Sequence, residues 1–103
     1  MVSVGTYTAL AEPSRRRILD LLRSRDRSVN ELVARVGISQ PGVSKHLRVL
    51  RDAGLVDVWK DGRSRVYSLR AQPLADVDRW LQPYRAYWND QLDALEQHLE
   101  ENP

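Results

Sequence analysis

The chain has 103 residues, 29% of them charged, with a formal net charge of +2, three Trp, four Tyr and no Cys. That length fits one small domain, and the lack of Cys excludes disulfides, thiolate zinc sites and thiol catalysis. No apolar run is long enough to span a membrane and no basic segment leads into an apolar run at the N-terminus, so a cytoplasmic location without a membrane partner is expected.

Charge is unevenly spread. Residues 1–70 hold 14 Lys/Arg against 7 Asp/Glu, whereas residues 71–103 hold 2 against 7. A basic body with an acidic tail is the footprint of a nucleic-acid binder whose last segment has another task. Ordinary surface salt-bridging is the plainer alternative.

In residues 1–11, Val2, Val4, Tyr7 and Leu10 are candidate contacts for something outside the first turn, and Thr6 or Thr8 is a candidate helix cap. A helix should begin near Pro13, where a missing N–H costs little, with Glu12 beside its positive end. Leu10, Ile18, Leu21 and Leu22 supply its apolar side. Arg15, Arg16 and Arg17 are consecutive, so at about 100° per residue at most two can reach a phosphate; a solvated face is the equal alternative. Residues 23–27 read as a polar break.

Ser28-Val29-Asn30-Glu31 matches a capping box. It opens a short helix from Val29 to Val36 with Leu32, Val33 and Val36 inward, and Gly37-Ile38-Ser39 then turns the chain. Along residues 39–55, Val43, Leu47 and Leu50 form one helical stripe, while Gln40, Ser44, Lys45, Arg48 and Arg51 lie off it. Ser39 caps this second helix, Pro41 sits in its first turn, and Gly54 ends it. A short helix, a glycine turn and a second helix opening on polar side chains make a helix-turn-helix. A plain helical hairpin would leave those polar residues without a task.

Beyond Gly54 the pattern becomes that of strands. Val56 and Val58 alternate with Asp57, Asp61-Gly62 is a hairpin-turn dipeptide, and residues 64–69 return with Tyr67 and Leu69 on one face. Lys60, Arg63 and Arg65 gather at the tip, as in a wing that follows a DNA backbone or enters a minor groove. Charged edges that merely block aggregation are the alternative. Ala71-Gln72-Pro73 marks the boundary between residues 1–72, a DNA-binding unit, and residues 73–103, a helical pairing segment of the same domain. Leu74 to Leu81 reads as helix, and Pro83 should kink it or open a new helix reaching about Glu100. Leu81, Tyr84, Trp88, Leu92, Leu95 and Leu99 recur at steps of 3, 4, 4, 3 and 4, a near-heptad seam suited to a second copy.

The run Ser39-Gln40-Pro41-Gly42-Val43-Ser44-Lys45-His46-Leu47-Arg48-Val49-Leu50-Arg51-Asp52-Ala53-Gly54-Leu55-Val56 resembles the recognition-helix signature of the ArsR family of winged helix-turn-helix repressors. The likeness extends to Glu12-Pro13-Ser14-Arg15-Arg16-Arg17-Ile18-Leu19 and to Gly62-Arg63-Ser64-Arg65-Val66-Tyr67. It implies a mainly α winged helix-turn-helix with a small β-hairpin, paired as a homodimer through N- and C-terminal helices. The expected function is a sequence-specific transcriptional regulator, a repressor on a palindromic operator in double-stranded DNA. Carried over by position, Ser39, Gln40, Ser44, Lys45, His46 and Arg48 form the recognition-helix set, and Lys60, Arg63 and Arg65 the wing set. Val4, Tyr7, Leu10, Tyr84, Trp88, Leu92, Leu95 and Leu99 form the pairing set. His46 has two readings, a DNA contact or a residue packed beside the turn.

The chain departs from the family's metal sensors. Where those carry Glu-Leu-Cys-x-Cys, this chain has Glu31-Leu32-Val33-Ala34-Arg35. His98 and Glu101 match half of the terminal-helix pattern, but Arg85 and Tyr87 occupy its other half. Two ligands fall short of a four-coordinate zinc site, so neither a metal nor another cofactor is expected. No nucleophile stands beside His46 or His98 in the sequence and no glycine-rich phosphate loop is present, so no enzyme is expected. The residues name no effector, small molecule or protein. A winged-helix protein-interaction module is the alternative class, and it would not require polar readers at the start of the second helix.

Overall fold

The computed structural model describes residues 4–101; Val2 lies outside that range. Five helices and three short strands follow in the order α1 (Val4–Leu10), α2 (Pro13–Ser24), β1 (Arg27–Ser28), α3 (Val29–Val36), α4 (Gln40–Asp52), β2 (Val56–Asp61), β3 (Ser64–Leu69) and α5 (Gln72–Glu101). The helix-turn-helix is α3 and α4, and the wing is the β2–β3 hairpin.

Local chemistry sets most boundaries. Glu12 caps α2 by accepting from Ser14 N, with Pro13 in the first position. That backbone hydrogen bond is the main reason the Glu12 carboxyl lies below its ordinary range. Ser28 and Glu31 form the capping box of α3 at 3.2 Å in each direction. Glu31 is likewise lowered, first by the Ser28 backbone and then by Arg25 at 2.6 Å. Gly37 closes α3 at φ +79°, a left-handed conformation that would strain a side chain. Ser39 caps α4 through Gly42 N, and beyond Asp52 the Leu55 N–H reaches back to Leu50 O at 2.9 Å.

The core forms where the inward faces of these helices meet the base of the wing. Ile18, Leu32, Val43, Leu47, Leu50, Leu55 and Val56 are fully or almost fully buried. At about 1.5–3 kcal/mol for each large side chain, this cluster is the main force holding α4 in place. Leu10 also packs against it, so this expected pairing residue is partly engaged within its own chain.

Several expectations need correction. Thr6 and Thr8 lie inside α1 rather than at its start, and Thr8 Oγ1 donates back to Val4 O at 3.1 Å. The polar break at residues 23–27 contributes to a strand, because Arg27 and Ser28 pair with Tyr67 and Val66 and make a three-stranded antiparallel sheet ordered β1-β3-β2. Arg27 is buried there, its Nε donating to Leu21 O and its Nη2 to Ser24 Oγ; Nη1 has no hydrogen-bond partner among the described residues. Burial, then the charges of Arg25 and Arg35, lower its pKa. The hairpin loop is Gly62-Arg63, one residue later than Asp61-Gly62, since Asp61 pairs with Ser64. Gly62 at φ +64° takes the first central position of a two-residue loop, the place a type II′ turn reserves for glycine.

Pro83 neither ends a helix nor starts one. It lies inside the 30-residue α5. The missing N–H leaves one carbonyl without its ladder donor. Arg85 bridges the same turn, donating through Nη1 to the Asp78 carboxylate at 2.6 Å and through Nη2 to Asp78 O at 3.2 Å. At about 1.5 Å per residue α5 is about 45 Å long, which accounts for a molecule measuring 64 × 31 × 20 Å. No described helix is long and apolar enough to cross a membrane.

Candidate nucleic-acid interface

Gln40, Ser44, Arg48 and Arg51 are spaced 4, 4 and 3 apart on α4, so they form one ridge. Val43, Leu47 and Leu50 seat the helix from the other side, which leaves the ridge turned outward. The wing rises beside it, and the two enclose a concave surface of about 670 Å³. Gln40, Ser44 and Arg48 line this surface with Arg51, Arg63 and Arg65. Four guanidinium groups thus meet an amide and a hydroxyl in one hollow. Asp52 is the acid on its rim.

These groups suit a nucleic acid. Arginine presents a planar fork that matches two acceptors on guanine or two phosphate oxygens, and glutamine can both donate to and accept from adenine. On the wing, Lys60 and Arg65 are direct cross-strand partners. Like charges placed opposite each other destabilise a free sheet, and a phosphate beside them would relieve the repulsion. Lys60 lies outside the main hollow; with Arg51, Val58, Trp59 and Arg65 it lines a neighbouring one of about 270 Å³.

The other residues singled out from the sequence are placed differently. Ser39 is committed to its cap, accepting from Gly42 N at 3.2 Å. Lys45 is exposed on α4 but does not line either hollow. His46 turns towards α2, with Nδ1 3.3 Å from Arg15 Nη1. Arg15 and Arg16 close the end of α1, donating to Ala9 O, Thr8 O and Leu10 O. The sequence-based site set leaves out Arg51 and Asn30, which also line the hollow. Arg51 was legible, since it continues the spacing of Gln40, Ser44 and Arg48. Asn30 lines the surface only because α3 packs against α4, and no local signal marks it.

A second surface lies on α5, where no residue is buried. Tyr84, Trp88, Leu92, Leu95 and Leu99 are 47–62% exposed. Trp80 and Tyr87, absent from the sequence-based seam, are 50% and 59% exposed. Tyr7 of α1 meets Trp80 edge-on at 5.9 Å between centroids, and Trp80 meets Tyr84 at 5.2 Å. The aromatic row therefore continues from α5 onto α1, where Val4 is 80% exposed. Among the described residues no three His, Asp or Glu side chains gather in a group able to hold a metal ion.

The chain is similar to several known proteins. The family model described as "Bacterial regulatory protein, arsR family" matches residues 12–58. An HTH-type transcriptional regulator of Mycobacterium tuberculosis is 44% identical over 72 residues, covering 69% of this chain and 63% of that protein, so the match spans less than two thirds of the relative's length. The transcriptional repressor SdpR of Bacillus subtilis is 33% identical over 77 residues, covering 75% of this chain and 86% of that protein. Among solved structures, a possible transcriptional regulator for arsenical resistance is 41% identical with a TM-score of 0.71, covering 93% of this chain and 97% of that one. A structure described as an ArsR family transcriptional regulator is 32% identical with a TM-score of 0.73, covering 82% and 88%.

Proposed function

The chain belongs to the ArsR family of bacterial regulatory proteins, and from that premise we propose that it is a sequence-specific DNA-binding transcriptional regulator, a homodimeric repressor acting at a palindromic operator. The observation that carries this reading is the single concave surface on which the α4 ridge and the wing arginines converge. In this mechanism α4 enters the major groove, Gln40 reads adenine and Arg48 reads guanine, and Ser44 and Lys45 hold phosphates. Arg63, Arg65 and Lys60 follow the backbone beside the groove. Repression follows from occupying the operator and excluding the transcription machinery.

One recognition helix reads only a few base pairs, and such proteins gain specificity by pairing two half-sites about 34–36 Å apart. The exposed row on α5, with Val4 and Tyr7 of α1, supports pairing with a second copy of the chain. Asp90, Asp93, Glu96 and Glu100 flank that row and keep α5 away from phosphates.

Selection of bound DNA from a random library should return an inverted repeat. Binding to that site should weaken steeply with salt: a dimer neutralising about 6–10 phosphates should have a log–log slope of about −5 to −9. A slope near zero would end the nucleic-acid reading. On the selected site, Gln40→Ala or Arg48→Ala should cost about 1–3 kcal/mol and relax the base preference. Arg63→Ala should weaken all sequences more evenly. An unchanged base preference in both α4 variants would remove α4 as the reader.

A further inference from the structure

The guanidinium of Arg15 joins three helices. From α2 it donates through Nε to Ala9 O and through Nη2 to Thr8 O, each at 2.8 Å, in the last turn of α1. Its Nη1 meets His46 Nδ1 at 3.3 Å in the middle of α4. Arginine has only donors and stays charged, so this contact is a hydrogen bond only when Nδ1 carries a lone pair. The contact closes as a hydrogen bond only in the tautomer that leaves Nδ1 unprotonated and carries its proton on Nε2. His46 lies two residues from Arg48, on nearly the opposite side of the helix at about 100° per residue. It is not among the residues lining the concave surface.

We propose that Arg15 and His46 are a positioning pair for DNA reading: their hydrogen bond seats the recognition helix against α1, and protonation of His46 breaks it and weakens operator binding. This rests on the regulator reading above. The incoming proton occupies Nδ1, the atom that accepts from Arg15, and leaves two cations with facing N–H groups. Glu12, the cap of the helix that carries Arg15, is the acid that interacts with His46. Its carboxylate offsets part of the added charge but cannot restore the acceptor. The other helices and strands packed on α4 bring no further acid to the pair. α1 has no ionisable side chain besides Tyr7, which stands against Trp80. In α3, Glu31 is tied to Ser28 and Arg25, and Arg35 interacts with Arg27. In β2, Asp57 is paired with Arg70, Lys60 faces Arg65, and Asp61 pairs with Ser64 at the far end of the hairpin. On α4 itself, Gly42, Val43, Val49 and Leu50, one turn away, cannot titrate.

The sign of the effect separates this pair from ordinary DNA electrostatics. An added positive charge on a DNA-binding surface strengthens phosphate binding. Opening the pair does the reverse. Operator affinity is measured at fixed salt from about pH 8 to pH 5.5, the range in which imidazole changes charge. The wild type should weaken about tenfold or more towards acid. His46→Asn retains an acceptor near the Nδ1 position and cannot titrate, so it should bind like wild type at pH 8 and lose nothing of that tenfold in acid. His46→Gln places its amide near the Nε2 position, so it should bind weakly at both ends. Circular dichroism checks that each variant is folded. In the free protein, ¹⁵N NMR at pH 8 should show His46 unprotonated at Nδ1. Affinity that is flat or rising towards acid, the same acid loss in His46→Asn, or a proton on Nδ1 at pH 8 would each overturn the positioning pair while the regulator reading stands. Absence of DNA binding by the wild type at pH 8 would overturn the regulator reading and the pair's role with it.

Discussion

Leu92→Glu combined with Leu95→Glu is expected to give a folded monomer whose operator binding is weaker by about 10³-fold or more. Both side chains are more than half exposed and α5 buries no residue, so the substitutions remove little from the protomer's own core. In a paired molecule each copy would bring two new carboxylates into an apolar seam already flanked by Asp93 and Glu96. Desolvating carboxylates without partners opposes association strongly. Gln40 to Arg48 would be untouched, but each monomer would then bind one half-site in the non-specific range of about 10⁻⁴–10⁻⁶ M. Sedimentation and a shift assay on the same sample decide the matter. A double variant that remains dimeric, or a monomer with wild-type affinity for the full operator, would assign α5 another task.

Leu47→Ala should act from the opposite side, on the fold rather than on pairing. Leu47 is fully buried, one residue before Arg48 on the helix that carries the readers. Truncation removes apolar contact and leaves a cavity, for a loss of about 2–5 kcal/mol. In a domain of this size that corresponds to a fall in Tm of the order of 10 °C or more. Denaturant unfolding should be followed at one fixed protein concentration, because pairing makes apparent stability concentration-dependent. A loss below about 1 kcal/mol would mean that neighbouring side chains close the space, and that the seat of α4 is more adaptable than its burial indicates.

The helix-turn-helix was legible because local groups decide its boundaries. Ser28, Glu31, Gly37 and Ser39 each meet partners within a few residues, and the core stripe of α4 follows directly from its period. The exposed row on α5 was legible from its period, since helical spacing alone decides which side chains share a face. What escaped depends on distant partners. β1 is two residues long and extended only because β3 lies beside it. The partner of His46 is 31 residues away, so the two readings of that side chain could not be separated without coordinates. Trp80 is off the heptad row and joins the exposed face through Tyr7 of another helix. Pro83 misled in a different way. Its ring removes one backbone hydrogen bond and crowds the carbonyl four residues back, yet α5 runs on through it.

The unbroken passage of α5 through Pro83 fixes a rotational phase along the whole helix. Trp80 before the proline keeps a set angular relation to Tyr84, Leu92, Leu95 and Leu99 after it. One residue inserted beyond Pro83 would turn everything downstream by about 100° while lengthening the helix by only about 1.5 Å. Seven would bring the rows back to within about 20° of their original alignment. Length changes here are therefore felt as angles: a short insertion would disrupt the exposed row more than an insertion of two whole turns.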